Sequence, residues 1–421
     1  MYLEPAREIP VSGKYDIIVA GSGPAGFAAA INAARLGAKV LVLEMTGMIG
    51  GVSTSGLMSH FTGDADSKFY REILQRMSER NEECQDVSIY IDTEQLRELY
   101  LDMLNEEGIA YRLYSTVVDV MKDGNRVTGV IVQSKTVREA FEARIVIDAT
   151  GDGDVSAMAG VPFTKGRESD GAMQPMTCMF KMGGVDFDRA VFPPTFETLV
   201  PTEKGELQSL AAQHLPKPAG HVLLFGSPRK GIVTANMTNC TNVDGTKAED
   251  LTRAETVCQS QIPHIIRFLR EYVPGYEHCY LISSASMIGV RETRHMEGVY
   301  QLTKEDILAK RVFPNWIVKG ACFNFDVHNI SGSGLDETGV QKKFPENVRY
   351  TIPYGCFVPK AIDGLLFTGR CISGTHIAHS NYRVMPICVA MGEGTGIAAA
   401  LAIRHSIDVR DVDAKEVQAF L

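Results

Sequence analysis

The sequence lacks paired cysteines. Its nine cysteines lie singly along 421 residues, without a CxxC pair or a dense cluster. Secreted scaffolds held by disulfides show such clusters, and disulfide reductases usually carry their redox dithiol as closely spaced cysteines, so both classes are disfavoured. We therefore expect reduced thiols in a cytoplasmic protein.

The sequence also lacks an excess of positive charge and an early hydrophobic run. Its 42 Lys and Arg residues face 51 Asp and Glu residues, which gives a formal net charge of −9. This balance argues against a surface that neutralises nucleic-acid phosphates or coats anionic membranes. The first apolar run, residues 17–20, is too short for a signal sequence or a membrane span. We expect neither a nucleic-acid partner nor a membrane location.

The first informative pattern occupies about 30 residues near the start of the chain. Residues 16–20 predict a short apolar strand, and the next six residues, 21–26, read GSGPAG. Residues 27–36 are alanine-rich and predict a helix, and residues 39–43 predict a second strand that ends at Glu44. Strand, glycine turn, helix, strand and acid in this order are the pattern of a dinucleotide-binding βαβ unit.

Each position of the turn has a mechanical reason. Gly21 permits the tight turn, Gly23 leaves room for a pyrophosphate to approach the backbone, and Gly26 lets the helix pack closely on the strands. Pro24 suits the first turn of a helix, whose free N–H groups attract phosphates. Glu44 is placed to accept hydrogen bonds from a ribose diol and would repel a 2′-phosphate. The predicted ligand is an adenine dinucleotide of the non-phosphorylated type.

Three downstream segments predict a flavin half for this dinucleotide. Gly50-Gly51 would let a bulky ring system lie against the backbone. A β-meander over residues 110–147 leads into Ala149-Thr150-Gly151, and residues 363–370 form another strand pattern that ends at glycine. A helix from Pro386 onward would point its N-terminus at the cofactor, where it stabilises negative charge on a reduced flavin.

With these segments the chain resembles the family of FAD-dependent oxidoreductases. The resemblance implies a glutathione-reductase-type fold, distantly shared with fumarate reductase flavoproteins, and tightly but non-covalently bound FAD; it implies no substrate. His295 departs from the family pattern, where a further Arg is expected after Arg294. The motifs that carry the resemblance are GSGPAG with Glu44, Gly50-Gly51, Asp148 to Asp154, Gly289 to Arg294, Arg370, His376, His379 and Arg383 to Pro386.

We predict an α/β fold: a glutathione-reductase-type FAD/NAD(P)-binding Rossmann-like domain with an inserted α+β substrate or cap domain. The nucleotide-binding strands lie at both ends of the chain, so the FAD domain is assembled from residues 1–160 and 350–421. Residues 161–349 form the predicted cap, which includes a long helix from about residue 247 to 272. The active site is expected where cap and flavin meet, since pockets form at domain interfaces.

The predicted cofactor residues come from all these segments. They are Gly21, Gly23, Pro24, Ala25, Gly26, Glu44, Gly50, Gly51, Val118, Ala149, Thr150, Gly151, Gly369, Arg370 and Met385.

Five residues are catalytic candidates because they bring positive or protonatable groups to the predicted interface. Histidine exchanges protons near neutral pH, which suits His376 and His379 in the loop before the last long helix. Arg291 and Arg294 could clamp a carboxylate in bidentate fashion, and Arg383 is expected to line a cationic pocket over the flavin together with Arg291 and the two histidines. A structural role stays open for each histidine, and Arg291 and Arg294 could instead pair with Glu292, Glu297 or the acids at 152–154. We predict no metal, because the spacing of these groups fits no zinc or iron site.

The favoured reading is a FAD-dependent oxidoreductase that transfers a hydride between flavin N5 and a small, anionic organic substrate, with a separate electron acceptor. Two alternatives are kept: a flavin-dependent modifying enzyme, and a non-catalytic protein that retains the FAD fold. The substrate, the acceptor and the oligomeric state are not specified by these patterns.

Overall fold

The structure is a computed structural model of the chain, and it describes residues 1–80, 90–193, 195, 198–336 and 348–421. The helices are α1 (Pro24–Arg35), α2 (Lys68–Arg80), α3 (Thr93–Glu106), α4 (Asp154–Ala159), α5 (Leu207–His214), α6 (Ala248–Tyr272), α7 (Lys304–Leu308), α8 (His376–Tyr382), α9 (Met385–His405) and α10 (Ala414–Phe420).

The strands are β1 (Val11–Ala20), β2 (Val40–Leu43), β3 (Ala110–Arg112), β4 (Thr116–Asp123), β5 (Arg126–Gln133), β6 (Arg138–Asp148), β7 (Phe163–Lys165), β8 (Phe180–Gly183), β9 (Pro201–Thr202), β10 (Gly205–Glu206), β11 (Leu224–Gly226), β12 (Val233–Ala235), β13 (Tyr280–Ser284), β14 (Arg294–Met296), β15 (Trp316–Ala321), β16 (Tyr350–Pro353) and β17 (Leu365–Phe367).

The central sheet has the strand order β3-β2-β1-β6-β5-β4, and β17 pairs with β6. Strand β1 runs parallel to both β2 and β6, with Ile17 opposite Val40 and Ile145, while β4, β5 and β6 form the predicted antiparallel meander. Because β17 comes from the far end of the chain, the sheet joins the two ends, and the predicted α/β Rossmann-like architecture is confirmed.

Helices α1 and α9 pack closely enough that glycine is required between them. A Cβ on Gly392 would overlap the carbonyl oxygen of Ala25, and one on Gly396 would overlap that of Ala29. Helix α9 is long and apolar enough to cross a membrane, but 94% of its most apolar window is buried inside the protein, as in a core helix. It begins at Met385, so Pro386 occupies the second helical position and not the first.

The inserted unit has its own sheet and its own core. Its strands have the order β11-β12-β8-β13, and α6 runs continuously from Ala248 to Tyr272 with Pro263 inside it. The buried side chains that form this core extend from Phe180 to Cys279. An α+β unit between the two halves of the nucleotide-binding fold is what the sequence predicts.

The packing differs from the predicted boundary at residue 349. The hydrophobic side chains from Met296 to Phe325 belong to the core around the central sheet, not to the core of the inserted unit. The reason is that β15 pairs with β16 and α9 packs against β15, which ties this stretch to the nucleotide-binding half. Sequence order alone does not reveal that the chain from Met296 to Phe325 packs again in the core around the central sheet.

Candidate functional site

The glycine turn has the shape that a dinucleotide needs. A Cβ on Gly26 would overlap the carbonyl oxygen of Gly21, and one on Gly21, whose φ is +93°, would overlap that of Ala149, so close packing accounts for both glycines. A Cβ on Gly23 would meet nothing within 4 Å. Gly23 is also the N-cap of α1 and has no side chain to cap its first-turn N–H groups. Open space before free helical N–H groups fits a pyrophosphate.

Glu44 is buried at the end of β2, and its carboxylate ties two segments together. Oε2 accepts hydrogen bonds from the Ser22 N–H at 3.1 Å and the Ser22 hydroxyl at 2.6 Å. Oε1 accepts from the Thr46 N–H and hydroxyl, both at 2.8 Å. The acid predicted to hold a ribose therefore also fixes the glycine turn, and two of its four donors are hydroxyl groups that can rotate.

The second glycine pair lies against the first turn. Gly50 and Gly51 have φ of +110° and +53°, and a Cβ on Gly51 would lie 3.0 Å from the Cα of Gly23. The Gly50 N–H donates to the carbonyl oxygen of Ser22 at 3.0 Å. The structure thus brings the two predicted glycine segments to one place.

The predicted residues of the last strands meet at the carboxyl ends of β6 and β17. Asp148 accepts hydrogen bonds from Thr150 N–H and hydroxyl and from Ser156 N–H, which fixes the turn that contains Ala149 and Gly151. Gly369 faces Ala25 of α1, since a Cβ there would lie 3.2 Å from the Cβ of Ala25. These contacts border the same turn as Gly21.

Three further cofactor candidates come from other elements of the fold. Arg370 packs on Gly151 and donates to Asp152 Oδ1 at 2.7 Å. Met385 begins α9, whose N-cap has no side-chain hydrogen bond. Val118 lies in β4, where the pairing with β5 shifts register.

Arg291 differs from the other candidate arginines in the groups that surround its guanidinium. Its side chain is buried, with 7% of the residue exposed. Nη1 donates to the carbonyl oxygen of Pro175 at 2.6 Å, and Nη2 donates to Asn236 Oδ1 at 3.5 Å. In the described part of the chain both acceptors of Arg291 are neutral. Burial, and then the nearby Arg383, lower the pKa of Arg291 to about 9.

Arg383 has an acidic partner. Nη2 lies 2.7 Å from Asp326 Oδ2 and also donates to the Asp326 carbonyl oxygen at 3.1 Å. Nε2 of His328 lies 3.3 Å from the same carboxylate. Burial would raise the pKa of Asp326, but His328, Arg383 and Arg291 together hold it well below its usual range.

Arg294 is placed away from this pair. It donates to Asp154 Oδ1 at 2.7 Å and to the Asp152 carbonyl oxygen at 2.8 Å. This is the pairing with the acids at 152–154 that the sequence left open, and it locks β14 to the loop before α4. Of the three candidate arginines, Arg291 is the one that forms no ion pair within the described residues, although the nearby Asp326 acts to raise its pKa.

Glu292 and three histidines form a second buried cluster. Glu292 Oε1 lies 2.8 Å from His295 Nε2 and 2.6 Å from His376 Nδ1. His379 packs edge-to-face on His295, with ring centroids 4.7 Å apart. Burial would raise the pKa of Glu292, but hydrogen bonds from His295 and His376 hold it well below its usual range. The carboxylate is therefore ionised inside the protein.

The structure corrects the setting of the two candidate histidines. His376 and His379 lie on the short helix α8, not in a loop, and Thr375 caps this helix by accepting from the Ala378 N–H. Glu292, the centre of the cluster, was considered from the sequence only as a partner for arginine. Its position between two arginines in Arg291-Glu292-Thr293-Arg294 gave no signal of a histidine partner more than 80 residues away.

Ligand-type atoms of Glu292, His295 and His379 all lie within 4.8 Å of one another. The prediction of no metal rested on spacing in the sequence, and this grouping comes from the fold. Seven cysteines in the described ranges are free thiols: Cys178, Cys240, Cys258, Cys279, Cys356, Cys371 and Cys388. Cys84 lies outside those ranges.

A family model described as "FAD dependent oxidoreductase" matches residues 16–421. Thiamine thiazole synthase of Pyrococcus horikoshii is 30% identical over 155 residues, which cover 35% of this chain and 61% of that protein. Dihydrolipoyl dehydrogenase of Trypanosoma brucei brucei is 28% identical over 172 residues, or 37% of this chain and 34% of that protein. The match thus covers less than two thirds of either curated relative.

Among solved structures, a geranylgeranyl bacteriochlorophyll reductase-like protein of Thermoplasma acidophilum aligns with 97% of this chain and 83% of its own. The TM-score is 0.53 at 13% sequence identity. At that identity the likeness shows a shared fold and no more.

Proposed function

Because the chain belongs to the family of FAD-dependent oxidoreductases, we propose that it transfers a hydride between a small organic anion and the flavin N5, with a separate electron acceptor. The redox chemistry is that of FAD, and the protein binds, orients and exchanges protons. The observation that carries the anionic substrate is the buried Arg291, whose described partners are neutral oxygens.

The cofactor is FAD, and the residues present fit it. The open space at Gly23 and the first-turn N–H groups of α1 would hold the pyrophosphate, with Glu44 on the adenosine side. Gly50, Gly51 and the N-terminus of α9 would border the flavin half. Negative charge near that helix end is stabilised by about 1 kcal/mol, and by more where it is partly buried.

Arg291 is the proposed anchor for the substrate carboxylate. Burying a charge is costly unless an opposite charge or several hydrogen bonds compensate it. Arg291 has five N–H donors, and its guanidinium donates to two neutral acceptors. A carboxylate bound in bidentate fashion would place an opposite charge in direct contact with the guanidinium and would use its remaining donors.

Two neighbouring groups complete the proposed pocket. Arg383 is held by Asp326 and would add positive charge at its edge. His376 Nδ1 lies 2.6 Å from Glu292 Oε1, which leaves Nε2 as the ring nitrogen without a hydrogen-bond partner in the described residues. We assign to Nε2 the exchange of a proton with the substrate.

The experiment is an anaerobic screen of small hydroxy, amino and keto acids with purified holoprotein, followed by flavin absorbance. At least one hydroxy or amino acid should reduce the flavin and bleach its absorbance. The amide or ester of the same compound, which lacks the carboxylate, should not. Equal bleaching by both forms would contradict the anionic site, and a protein that releases no FAD would contradict the cofactor. After acid precipitation the colour should stay in the supernatant, because the attachment is non-covalent.

A further inference from the structure

Glu292, His295 and His379 form a compact set of ligand-type side chains. Glu292 and His379 are 1% exposed and His295 is 2% exposed. Glu292 lies two residues before β14, His295 lies within β14 and His379 lies on α8, so the fold, not a local motif, brings them together. Their candidate ligand atoms lie within 4.8 Å of one another.

The carboxylate in this set has no Lys or Arg partner among the residues that the structure describes. Glu292 Oε2 accepts the Gln174 N–H at 3.0 Å, and Oε1 faces the rings of His295 and His376. A buried carboxylate is normally paired with a cation or bound to a metal ion. The partners present are a peptide N–H and imidazoles, so no permanently charged cation of the described residues contacts this carboxylate.

Two ring nitrogens in the cluster also lack partners. Nδ1 of His295 and Nδ1 of His379 are buried and form no hydrogen bond within the described chain. Buried polar atoms are rarely left without a partner, so each one requires an explanation. For His379, an ion bound by the ring would satisfy the nitrogen and supply a permanent positive charge beside Glu292.

We propose that Glu292, His295 and His379 bind a divalent first-row transition-metal ion. Two imidazoles and one carboxylate are ligands that suit zinc and ferrous iron. The 2.8 Å between Glu292 Oε1 and His295 Nε2 is close to the roughly 3.0 Å between adjacent octahedral ligands that each lie about 2.1 Å from one ion. It is shorter than the roughly 3.4 Å of a tetrahedral site, so octahedral ferrous iron fits this spacing better than tetrahedral zinc. His376, hydrogen-bonded to the same carboxylate oxygen, would orient it as outer-shell groups do in metal sites.

The competing explanation is a hydrogen-bonded network in which a protonated histidine supplies the charge. The two explanations differ in metal content, and this quantity does not depend on the proposed substrate or on turnover. A site that holds metal with an inactive flavin would therefore support this inference while leaving the proposed function to its own test.

The test uses untagged holoprotein incubated with Zn²⁺, or with Fe²⁺ under anaerobic conditions, and then desalted. Metal is measured by plasma mass spectrometry and FAD by absorbance. We expect about one ion per FAD in the wild type and at least a tenfold loss in H379A and in E292Q, with FAD retained. H405A is the matched control, because His405 is an exposed histidine paired with Glu416, and it should keep the ion.

Two results would overturn the inference. One is wild-type protein that retains no more zinc or iron than H379A after both incubations. The other is a wild-type ion content that persists in E292Q and in H379A, which would place the ion elsewhere. E292Q preserves the shape of the side chain, so it decides the question if H379A fails to fold.

Discussion

Two regions of the candidate site differ in the groups that form them: the nucleotide end, within residues 21–51, and the cap-facing end, around Arg291, Glu292 and His376. At the nucleotide end, glycines and main-chain groups within residues 21–51 define the shape, and Glu44 joins them through local hydrogen bonds. At the cap-facing end, Arg291, Glu292 and His376 are buried side chains whose partners are up to 118 residues away in the chain. The first end is specified by local spacing, and the second exists only after the whole chain has folded.

This difference predicts that glycine substitutions at the nucleotide end separate an effect on folding from an effect on cofactor binding. Glu44 has both roles, because its carboxylate also fixes the glycine turn.

The largest effect is expected for Gly26→Ala. Its new methyl group would overlap the Gly21 carbonyl oxygen, so α1 must move away from β1. We expect the free energy of unfolding to fall by about 2–3 kcal/mol, as for other overpacked sites. Thermal unfolding of the apoprotein measures this. An unchanged melting temperature would show that the helix can shift without cost.

Glu44→Ala should have the next largest effect, on FAD affinity. It removes the acid proposed for the ribose and also releases Ser22 and Thr46, so we expect a loss of about 1.5–3 kcal/mol in binding. Fluorescence titration of apoprotein with FAD measures it. Glu44→Gln is the control that keeps one acceptor oxygen and should lose less. Equal affinity in wild type and Glu44→Ala would place the ribose elsewhere.

Gly23→Ala should have a smaller effect and is the matched partner of Gly26→Ala. The backbone of Gly23 has φ −61°, which alanine adopts freely, and its Cβ would enter open space. The apoprotein should unfold as the wild type does, while FAD binds about tenfold more weakly because the methyl group crowds the pyrophosphate. Unchanged FAD affinity would mean that the phosphates do not approach this residue.

The contrast between the two ends also explains which features the sequence reveals. The turn, the meander and α6 follow from local patterns, and the structure has them at nearly the predicted positions. The return of residues 296–325 to the first core was missed, because the pairing of β15 with β16 has no local signature. Glu292 was undervalued for the same reason, since its partner His376 lies 84 residues away.

The three candidate arginines show the same limit at the level of single residues. Their sequence context does not separate Arg294, which has acidic partners, from Arg291, which has neutral ones. Only the placement of Asp152, Asp154 and Asp326 in space distinguishes them.

The most direct test of the proposed anion site is a titration of the oxidised holoprotein with small mono- and dicarboxylates, followed by flavin difference spectroscopy. We expect a saturable spectral change in the wild type, its loss in Arg291→Met, and its persistence in Arg294→Met, whose arginine is already paired with Asp154. FAD should stay bound in both variants. A wild type that responds to no carboxylate, or an Arg291→Met protein that responds as the wild type does, would contradict the proposed anion site.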